Sequence, residues 1–448
     1  MSSATLKKKA VNGAVWTIVG YGFSQSLRLG SNLILTRLLV PDLFGLMALV
    51  NVFIIGLGLF SDIGINPSIV RSKRGDDPVF LNTAWTIQVI RGFGLWISSV
   101  LIAFPVSRFY EEPRLLWLIP IVGFNTIILG FNSTSLASFN RHMEIDKLTM
   151  LELGTQIVSL IVMLIWAWVN PTIWALVGGA SISAVSKMYL SHRFNPGQHN
   201  RFAWNAEAIQ EITSFGRWIF VSTAMTFLAS YADKLILGKL FSLSMLGIYT
   251  IAYTFADIPK QVIHKISHKV IFPVIAQYAE LPRKQLRAKI IKQRQLVLVG
   301  QAVFLSFFIS FGDLLITNLY DEKFIEAAWI LPILALGLWP LMLSVTNDKA
   351  LFVIGNPSYV ALGNMFKFTY MLIGLPLAFS RMGVLGVVIV IAFNDIPFYA
   401  SVAYGLWREK LNTIEQDIQA TLLLLGLIAV SGGTRYYFGG GFSIAGIL

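Results

Sequence analysis

Apolar runs of roughly 20 residues or more, the length a helix needs to cross the hydrocarbon core of a bilayer, follow one another along nearly the whole chain. No other feature restricts the fold as strongly. Charged residues make up 13% of the chain and hydrophobic ones 55%, whereas soluble domains carry about a quarter charged residues. A single soluble core has no room for this much apolar material, so the sequence reads as an all-α polytopic membrane protein. Lys7, Lys8 and Lys9 precede the first run. That run is too long for the apolar region of a cleaved signal and reads as the first transmembrane helix. Cysteine is absent, which excludes disulfides, thiolate metal sites and cysteine nucleophiles.

The apolar pattern places spans at about 12–38, 43–70, 81–107, 115–139, 148–169 and 172–190. A second set falls at about 208–237, 246–277, 295–318, 327–354, 358–380 and 384–406, with a thirteenth at about 417–437. Breakers stand where the loops belong: Pro41, Pro78, Pro113, Pro171, Asn195-Pro196-Gly197, Pro282 and Asn356-Pro357. The net charge of +12 is distributed by membrane side, not gathered for nucleic acid. RSKRGDDP, NRHMEIDK, KMYLSHRFNPGQHNRFAW, AELPRKQLRAKIIKQR and REKLNTIEQD all carry Lys or Arg, while RFYEEPR, VNPT and NLYDEKFIE are short and sparse or mixed in charge. The positive-inside rule then puts the N-terminus in the cytoplasm. The basic stretch 283–294 reads as a topology signal and a contact for anionic lipid.

The chain repeats itself. Leu33, Ile34, Leu35, Leu38 and Gly45 recur as Leu235, Ile236, Leu237, Leu240 and Gly247, an offset of 202 residues (235 − 33) that also carries Trp16 onto Trp218 and Arg37 onto Lys239. Both copies begin after an even number of crossings, so the repeats are parallel and related by an axis along the membrane normal. The expected organisation is a six-helix lobe at 1–206, a second at 207–411 and an additional segment at 412–448. Such lobes would enclose a cavity and rock between inward-open and outward-open states. The terminal GGGFSIAGIL is too short to cross again, which leaves a fourteenth helix open.

The runs TRLLVPDLFGLMALVNVF and FSDIGINPSIVRS, with YADKLILGKLFSLSMLGIYTIAYTFADIP in the second lobe, resemble the bacterial polysaccharide transporters. These are lipid-linked oligosaccharide flippases of the multidrug/oligosaccharidyl-lipid/polysaccharide exporter superfamily. The resemblance implies a V-shaped fold of two lobes in the bacterial cytoplasmic membrane. It also implies a polyprenyl-diphosphate-linked oligosaccharide as substrate, turned from the inner to the outer leaflet, with other polysaccharide assembly proteins as further partners.

Charges inside spans cost about 2.5–3.5 kcal/mol each on insertion scales and so face a cavity or a partner. Tyr21, Gln25, Arg28 and Asn32 lie on one face of the first span, at i, i+4, i+7 and i+11. Gln88 and Arg91 are three apart in the third, Arg217 is in the seventh and Lys367 in the eleventh. Tyr249, Tyr253, Asp257, Gln261, His264 and His268 follow the helical period along the eighth. A cationic cavity lined by Gln25, Arg28, Asn32, Gln88, Arg91, Arg217, Tyr253, His264 and Lys367 would suit a diphosphate, because guanidinium forks match phosphate oxygens. The other possibility is that the charges glue helices together, Lys367 with Asp395 and Arg91 with Asp62. Asp62, Asp257 and Asp395 are candidates to bind a coupling proton or sodium ion, or to be structural partners of nearby cations. No other cofactor and no metal site is expected, since His264 and His268 lack the glutamate of a zinc helix.

A multidrug antiporter of the same superfamily would favour an acidic or aromatic interior, whereas cations predominate here. An intramembrane polymerase or ligase would need a large outer loop, and none fits between these spans. A transporter is expected, not an enzyme; a non-transporting scaffold would tolerate loss of Arg28, Arg91 and Lys367.

Overall fold

The structure, a computed structural model, describes residues 3–194, 200–267 and 271–438, and only the backbone of 3–11, 14, 214–226, 229 and 273. The expectations placed on the Arg217 and Trp218 side chains, on His268 and on 439–448 lie outside the described residues. All regular structure among the described residues is helical. Two compact units emerge, Met1–Phe227 and Leu228–Leu448, divided within a helix near the midpoint of the chain.

The first unit runs α1 (Ser3–Leu38), α2 (Pro41–Phe60), α3 (Ile65–Arg71), α4 (Pro78–Tyr110), α5 (Leu115–Gly123), α6 (Asn125–Gly130), α7 (Ser135–Arg141), α8 (Ile145–Val169), α9 (Ile173–Arg193) and the start of α10 (Ala206–Leu240). Pro41 opens α2 and Pro78 opens α4, where the missing N–H costs nothing. The Asp77 carboxylate caps α4 by accepting from the Val79 N–H at 3.0 Å. α8 and α9 form a hairpin, with Ser159 Oγ donating to the Gly179 carbonyl at 2.7 Å. The fourth span is broken, bending by 63° between 115–130 and 135–141. Serine hydroxyls from α9 and the start of α7 satisfy that break: Ser191 Oγ accepts from the Ser133 N–H at 2.9 Å, and Ser135 Oγ donates to the Ser191 carbonyl at 2.7 Å. Non-helical backbone at membrane depth persists only where protein supplies such partners.

The second unit continues with the rest of α10, then α11 (Leu243–Ile266), α12 (Phe272–Ala276), α13 (Arg283–Leu319), α14 (Ala327–Val345), α15 (Asp348–Val353), α16 (Ser358–Ala392), α17 (Ile396–Arg408) and α18 (Ile414–Tyr437). α16 turns back on itself at Gly383, whose φ of 59° and ψ of −140° suit only glycine. The resulting hairpin aligns Lys367 with Asp395 and Tyr359 with Ser401, so the eleventh and twelfth spans meet with almost no loop. α13 and α18 run parallel in a steady register, bonded at Arg294–Asp417, Ser310–Ser431 and Asp313–Arg435.

Eight helical segments are long and apolar enough to cross a membrane, and the broken fourth span adds a ninth. One of the eight, Ser358–Arg408, contains both arms of the Gly383 hairpin. α1, α10 and α11 supply three more helices of spanning length, and the polar stripes lie on α1 and α11. The count among the described residues is therefore the thirteen expected.

A polar stripe in the first lobe and a buried charge cluster in the second

On α1 the stripe is a chain of side-chain bonds. Arg28 Nη1 donates to Gln25 Oε1 at 3.4 Å, and Gln25 Nε2 donates to the Tyr21 hydroxyl at 3.0 Å. Arg28 is exposed in its unit, while Gln25 and Asn32 are half-buried. Beside the stripe, Ser24 bolts α1 to α8. Its hydroxyl donates to Gln156 Oε1 at 2.6 Å, and Gln156 Nε2 returns a bond to the Ser24 carbonyl at 3.0 Å.

Gln88, Arg91 and Asp62 are placed differently, each at an interruption of the backbone. Gln88 Nε2 donates to the carbonyls of Gly130 at 2.9 Å and Asn132 at 3.0 Å, at the break in the fourth span. Arg91 Nη2 donates to the Gly58 carbonyl at 2.7 Å and its Nε to the Ser61 carbonyl at 2.9 Å, capping the last turn of α2. Asp62 Oδ1 accepts from the Gly64 N–H at 2.9 Å and shapes the left-handed turn before α3. All three side chains do structural work in this arrangement, and the Arg91 guanidinium bonds to α2 backbone.

In the second unit α10, α11, α14, α16 and the start of α17 converge on a cavity of about 40 Å³. Tyr253, Asp257, Lys367 and Asp395 line it, together with Asp233 and Lys260. Lys367 Nζ donates to Asp395 Oδ1 at 2.6 Å with both groups buried. Asp257 accepts from Gln261 Nε2. Lys260 Nζ lies 3.4 Å from the Tyr253 hydroxyl, and Tyr249 donates its hydroxyl to Asp233 Oδ2 at 3.2 Å. Asp233 Oδ1 is buried with no partner. His264 lies one turn beyond Lys260 and does not line the cavity.

Asp233 and Lys260 escape a sequence reading because their significance depends on the convergence of helices distant in sequence. Lys260 is three residues from Asp257 on α11, and that spacing was the one available signal. The repeat conceals Asp233, because its counterpart 202 residues earlier is a serine, Ser31. With three carboxylates and two ammonium groups the cluster formally carries one excess negative charge. A cavity of 40 Å³ admits a few water molecules or a small cation. It is too small for a diphosphate carrying sugars, since pockets for organic ligands start near 300 Å³.

Residues 34–329, more than half of the chain, match the family described as polysaccharide biosynthesis protein. The chain belongs to that family. It is 23% identical to the lipopolysaccharide biosynthesis protein WzxC of Escherichia coli over 278 residues, 61% of this chain and 56% of that protein. It is 21% identical to the succinoglycan biosynthesis transport protein ExoT of Rhizobium meliloti over 280 residues, 61% of this chain and 55% of that protein. The match spans little more than half the length of these curated relatives. Among solved structures, the lipid II flippase MurJ in an inward closed conformation has a TM-score of 0.68 at 10% identity, covering 95% of this chain and 99% of that one. An inward-facing MATE multidrug transporter of the MOP superfamily has a TM-score of 0.66 at 14% identity, covering 89% and 95%. At such identities the likeness is one of fold, and the family member described here is a multi-pass bacterial membrane protein with a two-lobe helical fold.

Proposed function

We propose that this polysaccharide biosynthesis family member is a transporter that flips a polyprenyl-diphosphate-linked oligosaccharide from the inner to the outer leaflet of the cytoplasmic membrane by alternating access. Arg28 carries the inference: it is an exposed guanidinium on a spanning helix, in line with Gln25 and Asn32. A cation so placed costs about 2.5–3.5 kcal/mol unless it faces water or an anion, and a diphosphate supplies the anion. Membership in the family and the transport named for ExoT favour a polysaccharide precursor as cargo. Fold alone serves a multidrug antiporter equally well, given the MATE neighbour, but a cationic stripe repels cationic drugs.

Coupling to an ion is assigned to the second lobe. Asp257 and Asp395 line a cavity of ion size there, whereas Asp62 is engaged by the Gly64 turn. Arg217, His264 and Lys367 stay candidates for contact with the sugar chain or diphosphate. Lys367 would have to leave Asp395 first.

The test is translocation of a polyprenyl-diphosphate oligosaccharide in proteoliposomes, read by an external sugar-modifying enzyme. Arg28→Gln is the informative variant, because Arg28 caps no helix. Loss of at least tenfold in rate by folded Arg28→Gln protein supports the cationic path. Transport at the wild-type rate moves the site elsewhere, and drug efflux without lipid flipping by the wild type overturns the flippase assignment.

A further inference from the structure

A second and larger recess lies between the first halves of α13 and α18, a groove of about 330 Å³. It changes character along its length. At the end where both helices begin it presents Arg287 and Glu415, further in the amides of Gln295 and Gln419, and then Leu298, Val299 and Leu423. From Arg287 to Val299 the rise along α13 is about 18 Å at 1.5 Å per residue. That is close to one leaflet of a hydrocarbon core about 30 Å thick.

The surroundings of the groove are exposed and largely apolar. Leu296 is 81% exposed, Ile418 54% and Leu422 63%, on helices that span. Two glutamines exposed in such a setting need polar partners that acyl chains do not provide. Gln416 finds its partners inside the protein, donating to the Ile291 carbonyl and accepting from Arg294; Gln295 and Gln419 face the groove. Arg287 donates through Nε to the Asn412 carbonyl, and its Nη2 is 3.6 Å from Glu415, beyond hydrogen-bonding length. Glu415 is 83% exposed, so the Arg287 fork keeps donors for a further acceptor. Lys284, one turn earlier on α13, is exposed and falls on the same side of the helix as Arg287. Arg287 and Lys284 together outnumber the Glu415 carboxylate at this end of the groove.

We propose that this groove is a binding site for one anionic glycerophospholipid. Arg287 and Lys284 hold its phosphate, Gln295 and Gln419 donate to its ester oxygens, and one acyl chain lies over Leu298, Val299 and Leu423. Ala420 forms part of the floor and is buried at 8% exposure, so its small side chain leaves room for that acyl chain. The groove is separate from the charge cluster of the second lobe and shares no lining residue with it.

The experiment uses the full chain in detergent with phosphatidylglycerol or phosphatidylcholine added, and native mass spectrometry to count retained lipid. Wild type is expected to retain phosphatidylglycerol at least fivefold better than phosphatidylcholine. Lys284→Gln should lower that retention about fivefold, the effect of one basic residue at a lipid surface. Ala420→Trp should abolish it without changing any charge. Gln419→Leu, a milder change on the exposed face, should reduce retention even if the tryptophan prevents folding. Equal retention of both lipids by wild type overturns the site, as does undiminished retention in folded Lys284→Gln and Gln419→Leu protein. Displacement of phosphatidylglycerol by a stoichiometric polyprenyl phosphate would overturn the choice of occupant.

Discussion

Arg294 is fully buried and its partner Asp417 is 2% exposed, with 2.7 Å between Nη2 and Oδ1. The guanidinium also donates to Thr346 Oγ1 at 3.1 Å, Gln416 Oε1 at 3.0 Å and the Leu343 carbonyl at 3.3 Å, while Asp417 accepts from the Tyr399 hydroxyl at 3.0 Å. Removing one partner strands the other charge, so Arg294→Met should cost about 3–5 kcal/mol in unfolding free energy. The double variant Arg294→Met/Asp417→Leu should lose less than either single change, and additive losses would mean that the two groups are not coupled. Outside the membrane, Glu112 follows α4 and takes two bonds from Arg114, at 2.7 and 2.9 Å. Those hydrogen bonds hold its carboxyl below the usual carboxylate range, outweighing partial desolvation. A carboxylate depressed in the folded state stabilises above its unfolded pKa, near 4.3, and that contribution fades as pH falls through the lower folded value. The midpoint difference between wild type and Glu112→Gln should therefore be largest at neutral pH and shrink below about pH 4. A difference independent of pH would remove the ion pair as its cause.

α2 ends and the fourth span breaks where α4 supplies side-chain donors, and that sets the places of Gln88 and Arg91. Gln88 and Arg91 look from the sequence like cavity residues, because a helical face tells only which residues point together. Whether they meet water or the carbonyls of a neighbouring break depends on where α2 stops and where the fourth span bends, and neither boundary is encoded in α4 itself. The proline signals did mark ends at Pro41, Pro78 and Pro282, each of which starts or immediately precedes a helix. A sharper element-scale case is the turn at Gly383. An added Cβ would meet nothing within 4 Å there, so any cost of Gly383→Ala is backbone strain at positive φ, about 1–3 kcal/mol. Gly300 in α13 offers the control, since it too has open space but sits in regular helix; alanine there should be neutral or stabilising by about 0.5–1 kcal/mol. Thermal midpoints of the two variants in detergent separate the cases, and an equal response would mean that the turn at 383 relaxes without strain.

At the scale of the whole chain, the number and order of spans could be read from the apolar period and its breakers, because every crossing must satisfy its own backbone. Which helices touch could not be read, since lipid-facing and protein-facing apolar surfaces use the same residues. The parallel pairing of α13 with α18, numbers nine and thirteen in the crossing order, is nevertheless what alternation requires, as both odd spans must start from one side. That parity leaves the absolute orientation to the loop charges. The natural lack of cysteine makes the orientation measurable with single substitutions in each lobe. Lys73→Cys and Lys284→Cys lie at exposed positions of basic loops; Asn170→Cys and Glu322→Cys lie at exposed positions of the opposite set. In intact cells an impermeant maleimide should label Cys at 170 and 322 and spare Cys at 73 and 284 until the membrane is permeabilised. The reverse pattern in both lobes would put the N-terminus outside and keep the parallel repeat. Opposite patterns in the two lobes would break the repeat itself, because lobes related by an axis along the membrane normal cannot face opposite ways.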